Sequence, residues 1–469
     1  MWIALLFGVL RIAAWTWTRN GDEPLELQQK CSGLEDAYRC LASRCLSCTN
    51  FLQPQEGLDE ALILQMYADF TSSRDIDPSV WVLNSMIVRT AMTAGYCRDS
   101  CSRWHRDVTP YQGEMRRRAW IFVCQAEILF SFQLGLPSMM QSKWLETTLP
   151  RNIHDVSFGM QPLQLPESLV DSETTTVSYS IAKAKLVFGF AKVFSEVDEN
   201  KNFTYTRVLE LDREIRGIYQ SIPQDCQVDR LEEQALDDTR LVASRLSLAN
   251  IYHKSICILH SKHLGSAGDD QRFLYFRLAC VDSAMTLLSF HVHQHRSPQA
   301  DRYISYQTSL TLHDYFLAAT LLCTALFLGH NALALTVQAG PPGDEIFAAL
   351  EITLGIFDET SSESVEAHRA YDLLGVLLWE LRFPTTAQGT QHSTASSNLA
   401  APTQSSRPTN LAFVVPETLQ DTGTSCTSHV EPSLPDLGQN TALPWDEWDP
   451  SIMGLNFADP MSFVNGLYE

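Results

Sequence analysis

The stretch that decides the fold is EMRRRAWIFVCQAEILFSFQLGLP, residues 114–137. Three arginines open a segment that becomes strongly apolar and then stops at a Gly-x-Pro. Just before it, Thr109 is followed by Pro110 and then, three residues after Thr109, by Gln112. This order predicts a capping box with proline at the first helical position, and Gly followed by Pro is a typical stop signal. We therefore predict one long helix that begins near residue 110.

The helical spacing continues on both sides of this segment, from residue 1 to about residue 383. Apolar residues recur three and four positions apart, whereas strand-like alternation is rare. The clearest runs are 62–66, 81–92, 181–193, 241–259, 276–290, 315–328 and 373–381. The breaks between them carry Gly, Pro, Ser and Asp, as at 72–78, 161–166, 265–270 and 340–343. The pattern predicts an all-α, irregular multi-helix domain over residues 1–383.

The composition changes at residue 384. Residues 385 to about 443 are rich in Thr, Ser, Gln, Pro and Asn and have almost no apolar helix face. Such a segment cannot bury enough surface to offset the entropy lost on ordering. We therefore predict a disordered tail over 384–469.

The end of this tail, residues 443–469, sets aromatic and aliphatic side chains among acids and carries only negative charges. Acids keep aromatic groups from collapsing and leave them available to a groove on a partner protein. This pattern is typical of an activation segment, with the candidate residues Trp445, Trp448, Phe457 and Phe463. A solvated tail with chance aromatics, or an extra helix that packs back on the domain, is the alternative.

The charge balance argues against a surface built to bind nucleic acid. Acids outnumber bases 55 to 34, which gives a net charge of −21 and a pI near 5.0. Phosphate neutralisation needs clustered Lys and Arg. The 12 cysteines are scattered rather than arranged as a disulfide framework, which favours a reduced, intracellular compartment.

The apolar N-terminus, residues 1–15, could be mistaken for a secretory signal. It lacks a basic leading region, Arg11 interrupts the apolar run, and the run is too short to span a bilayer. We expect a buried first helix instead. No other stretch of membrane length is expected, and hence no contact with a membrane.

Residues 114–150 resemble the core motif of the fungal transcription-factor regulatory domain, the helical middle homology region found downstream of Zn2Cys6 DNA-binding clusters. That motif has an acid, a short arginine run, a Trp, a further acid, a Gly-x-Pro and a later Leu-Pro. The matching residues in this chain are Glu114, Arg116, Arg117, Arg118, Trp120, Glu127, Gly135, Pro137, Leu149 and Pro150.

A second stretch, residues 80–99, resembles the apolar helix of the same family, which ends in a Gly-aromatic/aliphatic-His-Arg-Asp turn. Its matching residues are Trp81, Gly95, Arg98 and Asp99. The two stretches stand in the family order and about fifteen residues apart, so together they are more specific than either alone.

Four positions depart from the family pattern. Cys97 stands where the family often has His, and Glu127 stands where it often has Asp. Ile128 and Leu136 occupy positions that are often Arg. We expect the loss of two basic residues to remove ion pairs near the end of the motif helix.

A Zn2Cys6 cluster needs six thiolates spaced Cys-x2-Cys-x6-Cys and repeated, with basic segments beside them. The densest cysteine group, Cys31, Cys40, Cys45 and Cys48, offers one Cys-x2-Cys pair, no Cys-x6 partner and no basic run. We therefore expect buried helix cysteines rather than a zinc site, and no metal or other cofactor. The chain looks as though it begins downstream of the cluster.

The three arginines could also form a nucleic-acid patch. Since they cover different faces of one helical turn and acids dominate elsewhere, we expect them to pair with Glu114 or with loop carbonyls.

Two groups of histidines have helical spacing. His291 and His295 stand at i and i+4, which would suit a metal, but no third ligand follows and a solvated helix end is favoured. His253, His260 and His263 are spaced for one helix face, and a metal site is not favoured there either.

An all-α enzyme such as a terpene cyclase would carry an Asp-Asp-x-x-Asp/Glu motif. Residues 237–241 and 269–273 both lack its third acid, and we find no nucleophile elbow, phosphate loop or His-Glu-x-x-His. The chain is therefore predicted not to be an enzyme.

The resemblance implies a nuclear, fungal transcription regulator whose helical domain acts through protein–protein contacts. The expected partners are other transcription regulators or coactivators and a second copy in a dimer. DNA would be reached only indirectly or through a region missing before residue 1. The alternatives are a non-transcriptional helical scaffold and, remotely, an all-α enzyme.

Overall fold

The computed structural model describes residues 1–21, 23–27, 30–50, 53, 55–98, 108–140, 148–157, 164–170, 173–199, 204–228, 239–264, 271–297, 308–331 and 341–383. Over these residues the chain forms twelve α-helices and no strand, so the predicted all-α class is confirmed there. The predicted tail, 384–469, lies outside the described residues, as do its four candidate activation residues.

The helices, numbered in chain order, are α1 (Trp2–Asn20), α2 (Cys31–Ser47), α3 (Leu58–Ser72), α4 (Pro78–Thr93), α5 (Pro110–Leu134), α6 (Ser178–Glu199), α7 (Tyr205–Gln220), α8 (Thr239–Ser261), α9 (Leu274–Arg296), α10 (Ser309–Asn331), α11 (Gly343–Thr360) and α12 (Val365–Arg382). From α3 to α12 each helix packs against the next one, and α1 packs against both α2 and α3. Each amphipathic run quoted from the sequence falls inside one of these helices.

The motif helix α5 begins and ends as its sequence predicts. Thr109 Oγ1 accepts a hydrogen bond from the Gln112 amide at 3.2 Å, and Gln112 Oε1 accepts one from the Thr109 amide at 3.1 Å. Gly135 closes the helix at φ 65°, a left-handed conformation that suits glycine. Buried residues cover all faces of α5, which packs against α4, α6 and α10. A helix that is apolar all round is a central one.

The first helix is buried over much of its length, as predicted, although Trp2, Ile3 and Leu6 are exposed. In α1, Arg11 interrupts the apolar run but is only 1% exposed. Its Nη1 lies 2.6 Å from Asp69 Oδ1 on α3, and its Nε lies 3.8 Å from Glu35 Oε1 on α2. The charge that breaks the apolar pattern therefore joins three helices inside the protein.

One helix among the described residues is long and apolar enough to cross a membrane, Ser309–Leu328 in α10. No further stretch of this kind was expected from the sequence, and α10 corrects that expectation. In this protein α10 packs against α8, α9 and α12, and its Tyr315, Ala318 and Leu322 have no exposed surface. Its apolar side chains therefore contribute to the largest buried cluster of the described residues.

The cysteines of α2 and its C-terminal end are not uniformly buried, contrary to expectation. Cys31 is buried and Cys45 is half-buried, but Cys40 and Cys48 are exposed. Among the described helices α2 packs chiefly against α1, which leaves part of its surface in solvent. In the described ranges no group of three or more His, Cys, Asp or Glu side chains is placed to hold a metal ion.

The loop between α3 and α4 holds the start of α12. Asp75 Oδ1 accepts from Ser364 Oγ at 2.6 Å and from the Glu366 amide at 3.0 Å, and its Oδ2 accepts from the Val365 amide at 3.0 Å. In return, Glu366 Oε1 accepts from the Ile76 amide at 3.0 Å. Burial raises the pKa of Glu366 to about 7, with the Asp75 charge acting in the same direction.

Glu366 should therefore make the stability of the fold depend on pH. A carboxyl whose pKa rises on folding from its ordinary 4.5 to about 7 stabilises the fold below pH 4.5, and this contribution is lost as the pH rises towards 7. Glu366→Gln removes the charge but keeps an acceptor for the Ile76 amide. We expect the variant to gain on the order of 1–3 kcal/mol in free energy of unfolding at pH 8 relative to the wild type. Urea unfolding between pH 5 and pH 8 measures the difference.

Glu359→Gln, at an exposed position of α11, is the matched control and should leave the pH dependence unchanged. Parallel pH curves for the wild type and Glu366→Gln would show that this carboxyl is not the titrating group.

Candidate functional site

Glu114 of the motif helix is a fully buried carboxylate with three donors. Its Oε2 accepts from Arg117 Nη1 at 3.1 Å, and its Oε1 accepts from Arg118 Nε at 3.3 Å and from the Arg151 amide at 3.1 Å. Both arginine side chains are 7% exposed and Glu114 is 0% exposed. Two of the three motif arginines thus pair with Glu114, one helical turn away.

Arg118 of α5 and Arg151 of the segment that precedes α6 connect these two parts of the chain. Arg118 Nη1 donates to Asp155 Oδ1 at 2.6 Å, and Asp155 Oδ2 accepts from Thr176 Oγ1 at 2.8 Å. Arg151 Nη1 donates to the Pro166 carbonyl at 2.8 Å. The motif charges therefore fix the path of the chain around α5.

Arg116, the third arginine, lies over an aromatic ring. Its guanidinium carbon is 5.2 Å from the centroid of the Tyr96 ring. The Tyr96 hydroxyl donates to Glu60 Oε1 at 2.5 Å, and Asp59 Oδ1 accepts from Thr90 Oγ1 at 2.6 Å. Burial raises the pKa of both carboxyls, that of Asp59 to about 6. Each of the three arginines therefore has a contact within the protein.

Glu127, the second motif acid, is fully buried and accepts hydrogen bonds from neutral donors. Its Oε1 accepts from Ser131 Oγ at 3.2 Å and from the Met139 amide at 3.1 Å, and its Oε2 accepts from Asn84 Nδ2 at 3.2 Å. Trp81 Nε1 donates to Ser131 Oγ at 2.9 Å and so extends the network to α4. Among the described residues, Glu127 therefore accepts its hydrogen bonds from hydroxyl and amide groups rather than from a cation.

The other motif residues fall into two groups. Trp120 is 1% exposed and is the largest of the fully buried side chains, while Gly95 and Gly135 adopt φ values of 82° and 65°. Arg98 and Pro137 are exposed. Asp99 lies outside the described residues.

The histidine at 291 corrects the expectation of a solvated helix end. His291 has no exposed surface and stacks on Tyr315, with ring centroids 4.5 Å apart. Phe357 lies 5.1 Å away on another side. Burial holds the pKa of His291 well below its ordinary value, so the ring is neutral.

His260 belongs to a hydrogen-bonded group around Asp212. Asp212 Oδ1 lies 2.9 Å from His260 Nε2, and its Oδ2 accepts from Arg216 Nε at 2.9 Å and from the Tyr275 hydroxyl at 2.8 Å. Burial opposes ionisation, but these three donors together lower the pKa of Asp212 to about 2. The group links α7, α8 and α9. His253 is neutral because burial lowers its pKa to about 4.

One buried ion pair was missed by the sequence reasoning. Lys254 on α8 and Asp314 on α10 are 1% and 4% exposed, and Lys254 Nζ lies 2.9 Å from Asp314 Oδ1 and 3.0 Å from Oδ2. The available signal was a lysine inside the apolar run 241–259. Its partner is 60 residues further along the chain, so spacing could not reveal it.

Comparison with known proteins gives three informative relatives. The chain is 28% identical over 386 residues to the Zn(2)-C6 fungal-type transcription factor pigI of Monascus ruber, covering 81% of this chain and 47% of the relative. It is 27% identical over 482 residues to the Zn(2)-C6 fungal-type transcription factor mpsB of Macrophomina phaseolina, covering 97% and 65%. It is 28% identical over 392 residues to transcription factor phm2 of Pyrenochaetopsis sp., covering 81% and 52%. These relatives are fungal transcription factors.

The chain spans about half to two thirds of the length of these relatives, from 47% to 65%. No protein-family model matches the chain, and no solved structure matches it. The likeness therefore comes from individual relatives, and it extends over most of the chain.

Proposed function

We propose that this chain is the helical regulatory part of a fungal transcription regulator of the Zn(2)-C6 type, which acts in the nucleus through contacts with other proteins. The observation that carries the proposal is the likeness to such factors over 81% to 97% of the chain. The likeness covers the motif helix and the all-α domain around it.

The charges support an indirect route to DNA. The net charge is −21, and the three arginines of the motif helix contact Glu114, Asp155 and the Tyr96 ring. Arginines held in this way are not available to neutralise phosphates. In this proposal DNA contact comes from a partner protein or from a zinc cluster that precedes Met1.

An apolar surface on α12 supports protein–protein contact. We define the α12 face as Leu373, Val376, Trp379 and Phe383, whose exposed fractions are 55%, 58%, 59% and 57%. Large apolar side chains grouped on one exposed helix face are typical of interaction sites. Trp is also among the residues that most often dominate binding energy at interfaces.

A reporter assay tests the transcriptional role. The full chain, fused at its N-terminus to a heterologous DNA-binding domain, should activate a reporter in a fungal host and accumulate in the nucleus. Trp445→Ala with Trp448→Ala should lower the reporter signal if the tail is the activation segment. A silent fusion that still binds partner proteins would support the non-transcriptional scaffold instead.

A charge placed on the α12 face tests the contact surface. Val376→Glu should reduce both the reporter signal and the recovery of partner proteins with the fusion, because a buried interface disfavours an unpaired carboxylate. Val170→Glu is the matched control, since Val170 is 61% exposed and belongs to the segment before α6 rather than to α12. Equal effects of the two substitutions would remove the role given to the α12 face.

A separate experiment tests whether DNA contact comes from the same polypeptide or from a partner protein. Sequencing the transcript from its 5′ end shows whether a basic six-cysteine segment is encoded before Met1. Finding one would assign DNA contact to the same polypeptide, and finding none would assign it to a partner.

A further inference from the structure

A cavity of about 140 Å³ lies beside the motif helix α5. Seven helices contribute to its wall: α1, α3, α5, α6, α8, α9 and α10. The motif helix supplies Phe122, Gln125, Ala126, Leu129 and Phe130. A cavity of about 150 Å³ in another protein holds one benzene molecule, so this volume suits a single substituted ring.

Most of the wall is apolar and aromatic. Tyr67 and Phe70 of α3 face the same space as Leu129 of α5 and Ile251 of α8. Ring faces and edges of this kind favour an aromatic or alicyclic occupant.

The two buried charges at the cavity balance each other. Lys254 and Asp314 both line it, and each is the partner of the other. A charged ligand would therefore bring an uncompensated charge into a buried site, at a high desolvation cost. The remaining charged wall residue, Lys183, is half-exposed, and its Nζ lies 5.8 Å from the Tyr179 ring. The balance favours a neutral ligand.

One polar atom of a residue that lines the cavity lacks a hydrogen-bond partner among the described residues. Asn250 is 2% exposed; its Nδ2 donates to the Tyr315 hydroxyl at 3.3 Å, and that hydroxyl donates to Gln294 Oε1 at 2.9 Å. Asn250 Oδ1 is buried and accepts no hydrogen bond from any described residue. A buried acceptor without a donor costs about 1–3 kcal/mol. A ligand hydroxyl or amine would supply the missing donor.

We propose that this cavity binds a small, neutral, ring-bearing alcohol, with phenol as the simplest example. The ring occupies the apolar wall beside α5 and the hydroxyl donates to Asn250 Oδ1. Because the wall joins helices from both halves of the chain, an occupied cavity holds these helices together more tightly than an empty one. Its use as an effector site rests on the proposed function, whereas binding itself does not.

Binding is measured on the purified full chain by calorimetric titration and by the shift in melting temperature with phenol, toluene and benzoate. For so small a ligand we expect a phenol dissociation constant on the order of 0.1–1 mM and saturable stabilisation. Toluene, which lacks the donor, should bind about tenfold more weakly, and benzoate more weakly still. Equal affinities for all three compounds would show that the cavity selects neither for a hydrogen-bond donor nor for a neutral ligand. That result would overturn the proposal.

Two variants locate the site. Ala243→Leu fills the cavity and should abolish phenol binding, whereas Ala348→Leu, on the exposed side of α11, should leave it unchanged. Asn250→Ala should weaken phenol binding about tenfold and toluene binding little. Phenol binding that persists in a folded Ala243→Leu variant would place the ligand elsewhere. None of these measurements uses a reporter, so they succeed or fail independently of the transcriptional proposal.

Discussion

Glu114→Ala is expected to lower the free energy of unfolding by about 3–5 kcal/mol. The substitution leaves Arg117 and Arg118, each with a side chain 7% exposed, without the carboxylate between them. It also removes the acceptor of the Arg151 amide. Buried charges and donors without partners lose their hydration and gain nothing in return. Chemical unfolding followed by circular dichroism measures the change.

The matched control for this prediction is a surface pair with the same spacing. Arg207 Nη1 lies 3.0 Å from Glu210 Oε2, three residues along α7, and Glu210 is 56% exposed. Glu210→Ala should cost at most about 1 kcal/mol because water replaces the lost partner. If Glu114→Ala and Glu210→Ala cost the same, the buried cluster does not stabilise the motif helix.

Lys254→Met is the second substitution with a large expected effect, again about 3–5 kcal/mol. It leaves Asp314 as a buried carboxylate without its cation. Asp314→Leu should cost a similar amount, because it leaves Lys254 as a buried cation without its carboxylate. The double variant should recover most of the loss, since replacing both partners of a buried ion pair by apolar groups is often close to neutral.

The exposed pair Lys192–Glu214, whose members are both 43% exposed, is the control. Lys192→Met should change the free energy of unfolding by less than about 1 kcal/mol. A double variant at 254 and 314 whose cost equals the sum of the two single costs would show that the charges do not interact.

The start and end of the motif helix could be read from the sequence because their signals are local. A capping box spans four residues, and a left-handed glycine acts on the turn just before it. The pairing of Arg117 and Arg118 with Glu114 was accessible for the same reason, since residues three and four apart share a helix face. These parts of the site needed no knowledge of the fold.

The long-range partners were not accessible. Asp155 reaches Arg118 across 37 residues, and Asn84 reaches Glu127 across 43 residues. No periodicity connects such positions, because their distance depends on how α4, α5 and the segment before α6 are packed. The sequence therefore predicted that the motif charges needed partners but could not name these ones.

The histidines and cysteines show a second property that the sequence could not predict, namely which residues of a helix are buried. His291 was expected in water and is buried against Tyr315, whereas Cys40 and Cys48 were expected inside and are exposed. Each residue lies in or at the end of a helix, within the region 1–383 that the sequence predicts to be helical. Which face of a helix is covered depends on the number and placement of its neighbours, and that is a tertiary property.

The sequence by itself determined the all-α class, the helix boundaries at the motif and the pairing of neighbouring charges on α5, because each depends on interactions within a few residues. Only the tertiary structure decided the Lys254–Asp314 pair, the burial of His291 and the cavity beside α5. These features arise where side chains from distant segments meet, and the free energy of such contacts depends on packing and desolvation. The motif helix is therefore recognisable from its own residues, while the site around it is assembled by the rest of the fold.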